Sequence, residues 1–362
     1  MPPVTDAINA GGGGVAISAL IMLATFVVMY LVNRHFQFFG RKLLVALIGI
    51  AGLMFARHFF GPATDAIESV DPAASGNLGG LGLPIIVSWV VGGFFAAAAA
   101  WAVGKISLGL RSDYLAIATL GISEIIVAVL KYEDWQTRGV KNNSGLPRPV
   151  PYEVNLQKET WVIELAAKHG FTVQEVSSLI VKGSYALLFT AVLLIVLYLS
   201  EKALKSPWGR MMRAIRDNEV AAEAMGKNVK GRHLQVFILG SAVIGVAGAM
   251  LTTLDGQFTP ASYQPLRFTF LIWVMVIVGG SGNNWGAVLG GFVIWFFWIE
   301  AEPIGLWLME LITSGMAEDS ALRLHLLKSA AHMRLMTMGL VLLLVLRFTP
   351  RGLIPERGYG RR

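Results

Sequence analysis

The sequence predicts an all-α polytopic membrane protein of about eight to nine transmembrane helices, with a broken segment near Gly279–Gly286. Three observations carry that expectation. Of the 362 residues 55% are hydrophobic and only 15% charged, and the mean hydropathy is +0.61, an imbalance foreign to soluble domains. Several stretches run uncharged for about the 18 or more residues that a helix needs to cross roughly 30 Å of hydrocarbon. The net charge of +7 comes from Lys and Arg held in short loops between those stretches, a membrane-topology pattern rather than a nucleic-acid patch. Lipid offers an open backbone no hydrogen-bond partner, so the apolar runs must be helices.

The first span is expected at about residues 13–33 and the second at about 43–60, where Arg57 and His58 interrupt it. A third lies within Leu81–Gly104, a fourth over Tyr114–Leu130, a fifth over Gly183–Ser200 and a sixth over Leu234–Leu254. The uncharged run Phe268–Ile299 is too long for one crossing and is divided at Gly279–Gly286. The last span falls near Ala330–Leu346, with Arg334 and Arg347 able to snorkel.

Nine crossings put the chain ends on opposite sides, and one orientation satisfies the positive-inside rule at every short loop. Arg34, Arg41, Lys42, Lys105, Arg111, the loop Glu201–Arg232 and the tail residues Arg347, Arg351, Arg357, Arg361 and Arg362 fall inside. Asp65, Glu68, Asp71, Asp255, Glu300 and Glu302 fall outside. The expectation is a multi-pass protein of a bacterial inner membrane with a periplasmic N-terminus and a cytoplasmic C-terminus. The start, MPPVTD, lacks a positive segment, so no cleaved signal is expected.

One transmembrane domain, 1–362, thus carries two pieces outside the bilayer. The external insertion 131–182 opens with turn-forming text, Asn142–Pro149, and then turns helical over Leu156–Lys168 and again from Thr172, which forms a capping box with Glu175. The internal loop 201–232 has a helix start at Ser206-Pro207 and a stop at Gly226. Its Ala-rich stretch Glu219–Met225 favours helix, with Val220 and Ala224 forming a small apolar face among charges. Such a stub can seat in a groove on a soluble partner; a basic connector lying on anionic lipid is the alternative.

No enzyme motif is present: no GxxxxGK[ST], no HExxH, no nucleophile elbow and no paired Asp-rich sequence. The absence of cysteine excludes disulfides and thiolate chemistry, and His325 and His332, seven apart, come without a carboxylate. The reading is a non-enzyme with no cofactor and no metal.

Four ordered segments carry a resemblance: LRSDYLAIATLGISEII from Leu110, EVAAEAMG within Ser206–Met250, GGSGNNWGAVLGG from Gly279 and RLMTMGLVLLLVLRFTPRGLIPE from Arg334. From about residue 80 to the end the chain resembles the permeases of branched-chain amino-acid ABC importers, LivM type. Residues 1–60 lack the Leu-Ser-Leu-Gly and Gly-Ala-Tyr text usual in early spans of that family. The resemblance implies a second homologous permease, two cytoplasmic ATPases that supply the missing nucleotide site, a periplasmic substrate-binding protein, and a small amino acid as cargo. It also implies ATPase contact through Arg213, Arg216, Glu219, Val220, Ala221, Ala222, Glu223, Ala224, Met225 and Gly226.

The candidate path residues are Asp113, Tyr114, Thr119, Glu124, Asn283, Asn284 and Trp285. Glu124 is the only charged residue between Asp113 and Lys131 and either meets a substrate ammonium or pairs with a neighbouring helix. Gly282, Gly286 and Gly290, like Ser241, Gly245 and Ala249, repeat every four residues and permit close helix packing. The broken backbone at Asn283–Trp285 is tolerable only where it is buried in protein or lines water, which suits the internal mouth of a path. The rival class is an ion-coupled secondary transporter working alone, which would need acids in several spans where this chain offers essentially Glu124.

Overall fold

The computed structural model describes residues 6, 8–35, 40–70, 85–110, 112–133, 143–144, 146–260, 264–316 and 320–356. Seven of its helices are long and apolar enough to cross a membrane, or eight if one bent pair counts as a single span. The chain is therefore an all-α polytopic membrane protein. The first four long helices are α1 Gly13–His35, α2 Arg41–Glu68, α3 Ile85–Ser107 and α4 Ser112–Tyr132. Arg57 and His58 do not end α2, which continues through Pro62 to Glu68. The expected start of the third span at Leu81 lies outside the described residues, as do Asp71, Arg111, Asn142, Arg357, Arg361 and Arg362.

Two short helices follow, α5 Glu153–Leu156 and α6 Thr160–His169, before α7 Val173–Lys205, whose 33 residues extend well beyond the expected Gly183–Ser200. The loop after α7 folds as α8 Pro207–Asp217 and α9 Glu219–Ala224, and α10 Val229–Asp255 is the sixth expected span. The long uncharged run breaks into α11 Pro265–Gly279 and α12 Asn284–Ile312. With 15 and 16 residues, α11 and the last apolar helix Met333–Phe348 rise about 22 Å and 24 Å, both short of roughly 30 Å of hydrocarbon, so two of the expected crossings have helices that do not span alone. The bent pair is α13 Ala321–Ser329 and α14 Met333–Phe348.

The chain divides into two compact units, residues 1–196 with 211–262, and 197–210 with 263–362. In the first, α1 and α2 approach through small residues: a Cβ on Gly14 would lie 2.6 Å from that of Ala63. The α3–α10 contact is built likewise, since a Cβ on Gly245 would lie 2.5 Å from that of Ala96 and 2.7 Å from the Gly92 carbonyl. Lipid gives helices no hydrophobic drive to associate, so this backbone proximity and its dispersion contacts hold them. One polar bond adds to it: the buried Trp89 indole N–H donates to the Thr253 hydroxyl over 3.0 Å.

The segment between α4 and α7 packs on the start of α7 through a core of Val150, Leu156, Val162, Ala166, Val176, Val181 and Tyr185. The Thr172 capping box forms as the sequence predicts: the Thr172 N–H donates to the Glu175 carboxylate at 2.9 Å, and the Glu175 N–H donates to the Thr172 hydroxyl at 3.3 Å. Part of the turn-forming text pairs instead, β1 Asn143–Ser144 running antiparallel to β2 Gln257–Phe258. In the second unit Leu271, Val274, Val278, Ile294, Trp298 and Met338 form the core between α11, α12 and α14.

Candidate functional site

The loop between α7 and α10 is a two-helix stub rather than one helix. Ser206 and Pro207 start α8 as expected, the Gly209 N–H donating to the Ser206 hydroxyl at 3.3 Å. The backbone turns extended at Asn218, whose side-chain carbonyl then accepts the Ala221 N–H at 2.9 Å and caps α9. Gly226 takes a left-handed φ of 76°, open to glycine at little cost, and its N–H closes the helix end on the Glu223 carbonyl at 2.9 Å. Asn228 caps the next helix by accepting the Gly231 N–H at 2.9 Å. Caps at both ends thus satisfy terminal backbone groups of the six-residue α9.

Its Val220–Ala224 face is turned outward. Ala222 packs with Ile215 and Val229, supported by Met211 and Met212, whereas Val220 and Met225 stand 77% and 79% exposed. Glu219, Ala221, Glu223, Ala224 and Gly226 are exposed beside them, Arg216 pairs with Asp217 at 3.2 Å, and Arg213 is half-buried. The stub therefore shows two large apolar side chains in a ring of charges.

A second construction lies at the break between α11 and α12. A Cβ on Gly286 would lie 2.7 Å from the Gly279 carbonyl, and one on Gly290 2.8 Å from the Gly279 Cα, so both glycines serve close approach. Gly282 does not join their face: it lies before the helix with φ 94°, against Glu356. Asn283 caps α12 by accepting the Trp285 N–H at 3.0 Å, Trp285 is exposed, and the Asn284 amide donates to Glu201 at 3.1 Å.

Sequence reasoning missed what holds this break. The segment after α14 folds back so that the Leu353 and Ile354 N–H groups donate to the Val278 and Gly279 carbonyls at 2.9 Å each. The Asn283 amide reaches the Pro355 carbonyl at 3.5 Å. Backbone carbonyls freed by the end of α11 thus find partners within the protein. The only sequence signal was the turn text Thr349-Pro350-Arg351-Gly352.

The remaining path candidates lie on α4. Asp113, Tyr114 and Glu124 are exposed there, while the Thr119 hydroxyl turns back to the Leu115 carbonyl of its own helix at 2.9 Å. Asp113, Ile117, Leu120 and Glu124 follow helical spacing and share a face. Of the small-residue set on α10, Gly245 meets α3, Ala249 comes within 3.4 Å of a Cβ built on Gly92, and Ser241 is half-buried. The candidates on α4 and those at the α11–α12 break belong to different units.

A family model described as the branched-chain amino acid transport system permease component matches residues 7–346, reaching through the early spans where the resemblance had not extended. The chain is 25% identical over 324 residues to the probable branched-chain amino acid transport permease protein LivM of Methanocaldococcus jannaschii, covering 87% of this chain and 80% of that one. It is 29% identical over 210 residues to the high-affinity LivM permease of Escherichia coli K12, 56% of this chain and 48% of the relative. A shorter match, 31% identical over 115 residues, covers 31% of this chain and 36% of the probable LivH permease of M. jannaschii. No solved structure matches the chain.

Proposed function

The chain belongs to the branched-chain amino acid transport permease family, and on that premise we propose that it carries a small, branched-chain or similar amino acid across the inner membrane as one permease of an ATP-driven importer. Hydrolysis belongs to two cytoplasmic ATPases, cargo arrives on a periplasmic binding protein, and a second, homologous permease completes the path. Similarity to both LivM and LivH proteins supports such a pairing. The observation that carries the mechanism is the capped stub with Val220 and Met225 outward: a rigid lever with an apolar tip is what a nucleotide-driven partner can grip and push.

In this reading 201–232 is the cytoplasmic coupling loop, 131–182 a periplasmic insertion, and the N-terminus periplasmic. Closure of the ATPases moves the stub, and the permease pair alternates between outward and inward access. Asp113, Tyr114, Thr119, Glu124 and Asn283–Trp285 contribute to the path. The test is a set of bulky replacements at Glu223 and Gly226. Membrane insertion stays intact while ATP hydrolysis proceeds without uptake; fully coupled uptake by these variants removes the coupling role. Labelling of a cysteine placed at Glu223 from the periplasmic side would overturn the orientation. Uptake by the purified chain alone on an ion gradient would instead establish a secondary transporter.

A further inference from the structure

A partner's movement reaches a distant backbone only through contacts that carry load from one element to the next. The second unit holds such a series, from the first turn of α8 to the break between α11 and α12, with every member inside residues 197–210 or 263–362. Ser206 alone separates α7 from α8. The corner is closed by the Ser206 N–H, which donates to the Ala203 carbonyl at 3.2 Å, and by the Arg210 guanidinium, which donates to the Lys205 carbonyl at 3.3 Å. Gly209 lets the first turn of α8 lie directly on the last turn of α7, since a Cβ there would fall 2.5 Å from the Ala203 carbonyl oxygen. With backbone pressed on backbone, α8 does not tilt toward α7 without moving its end.

One turn back from that corner the Glu201 carboxylate divides its oxygens. One pairs with the Lys205 ammonium of its own helix at 3.7 Å, and the other accepts from the Asn284 amide at 3.1 Å, 83 residues away in the chain. Asn284 is the first residue of α12, so the carboxylate also stands by the positive end of that helix. Behind Asn284 the break is held on every side: Asn283 caps α12, a Cβ on Gly286 would meet the Gly279 carbonyl, and Ile354 donates to that same carbonyl.

We propose that Glu201 and Asn284 form the joint between α8, which runs on into the stub, and the α11–α12 break. Displacement of α8 by its partner turns the end of α7, and the Glu201–Asn284 bond delivers that displacement to the first turn of α12. The two act as positioning residues, through the backbone they hold. The inference rests on the ATP-driven import reading above and adds to it the contact that joins drive to path.

The test reads leucine moved per ATP hydrolysed by the complete transporter in proteoliposomes, with leucine-loaded binding protein. Asn284→Asp keeps the side-chain shape but faces Glu201 with a second carboxylate. It lowers the ratio about tenfold, the loss of one charge-assisted hydrogen bond, while hydrolysis continues. Adding Glu201→Gln restores the bond with donor and acceptor exchanged, and the ratio returns to within about threefold of the unsubstituted transporter. Asn284→Ala, which removes the donor and adds no charge, gives a similar loss in assembled complex. A merely structural role lowers assembly, hydrolysis and uptake together and leaves the ratio unmoved. An unchanged ratio in both Asn284 variants overturns the proposal, and so does a Glu201→Gln, Asn284→Asp pair no better coupled than Asn284→Asp alone. If the unsubstituted complex takes up no leucine on ATP, the import reading itself fails before any variant is compared.

Discussion

Truncating Val220 and Met225 together to alanine separates the tip of the proposed coupling stub from its fold. Both side chains stand more than three-quarters exposed, so the chain loses little by their removal, within about 0.5 kcal/mol for surface positions. A partner that buries them gains much more: full burial of one such side chain is worth about 1.5–3 kcal/mol. Alanine retains part of that, which leaves a loss of about 3 kcal/mol for the pair, or roughly a hundredfold in affinity. Titration of the purified, detergent-solubilised chain with the proposed ATPase partner measures this directly, and leucine uptake by the proposed importer should fall in parallel. Melting of the isolated chain should not shift. Binding within about threefold of the unsubstituted chain would refute the argument that the exposed apolar pair is the gripped surface.

Two further predictions concern the scaffold. Thr253→Val leaves the buried Trp89 N–H unpartnered and should cost about 1–3 kcal/mol, and a cycle with Trp89→Phe should return a coupling of about 0.6–1.7 kcal/mol in detergent unfolding. Gly290→Leu drives its Cβ to 2.8 Å from the Gly279 Cα and should destabilise the α11–α12 contact by about 1–3 kcal/mol or more; Gly291→Leu, with nothing within 4 Å, should melt like the unsubstituted chain.

Much of this protein was legible in the sequence because the bilayer imposes so simple a rule. Twenty apolar residues must be a helix, and the spans at Gly13–His35, Ser112–Tyr132 and Val229–Asp255 needed nothing else. Local stop and start chemistry was equally readable: Ser206-Pro207, Gly226 and the Thr172–Glu175 box act within one turn of chain. The break at Gly279–Gly286 was visible as glycine and asparagine text where a helix could not persist.

Tertiary structure decided which faces those helices turn inward and what completes them. Spacing puts Val220 and Ala224 on one apolar face, which the fold leaves outward, and only the fold shows that Ala222 is the packed residue, because Ile215 and Val229 come from helices on either side of it. Gly282, Gly286 and Gly290 share a spacing, yet only the last two lie in a helix contact; the first bends the chain toward Glu356. Periodicity reports that a side chain has an apolar neighbourhood, and only the fold says whose. The turn text Thr349–Gly352 shows that the chain reverses after α14, but that Leu353 and Ile354 clamp the end of α11 is decided by the fold, since backbone hydrogen bonds between distant segments leave no mark in residue type.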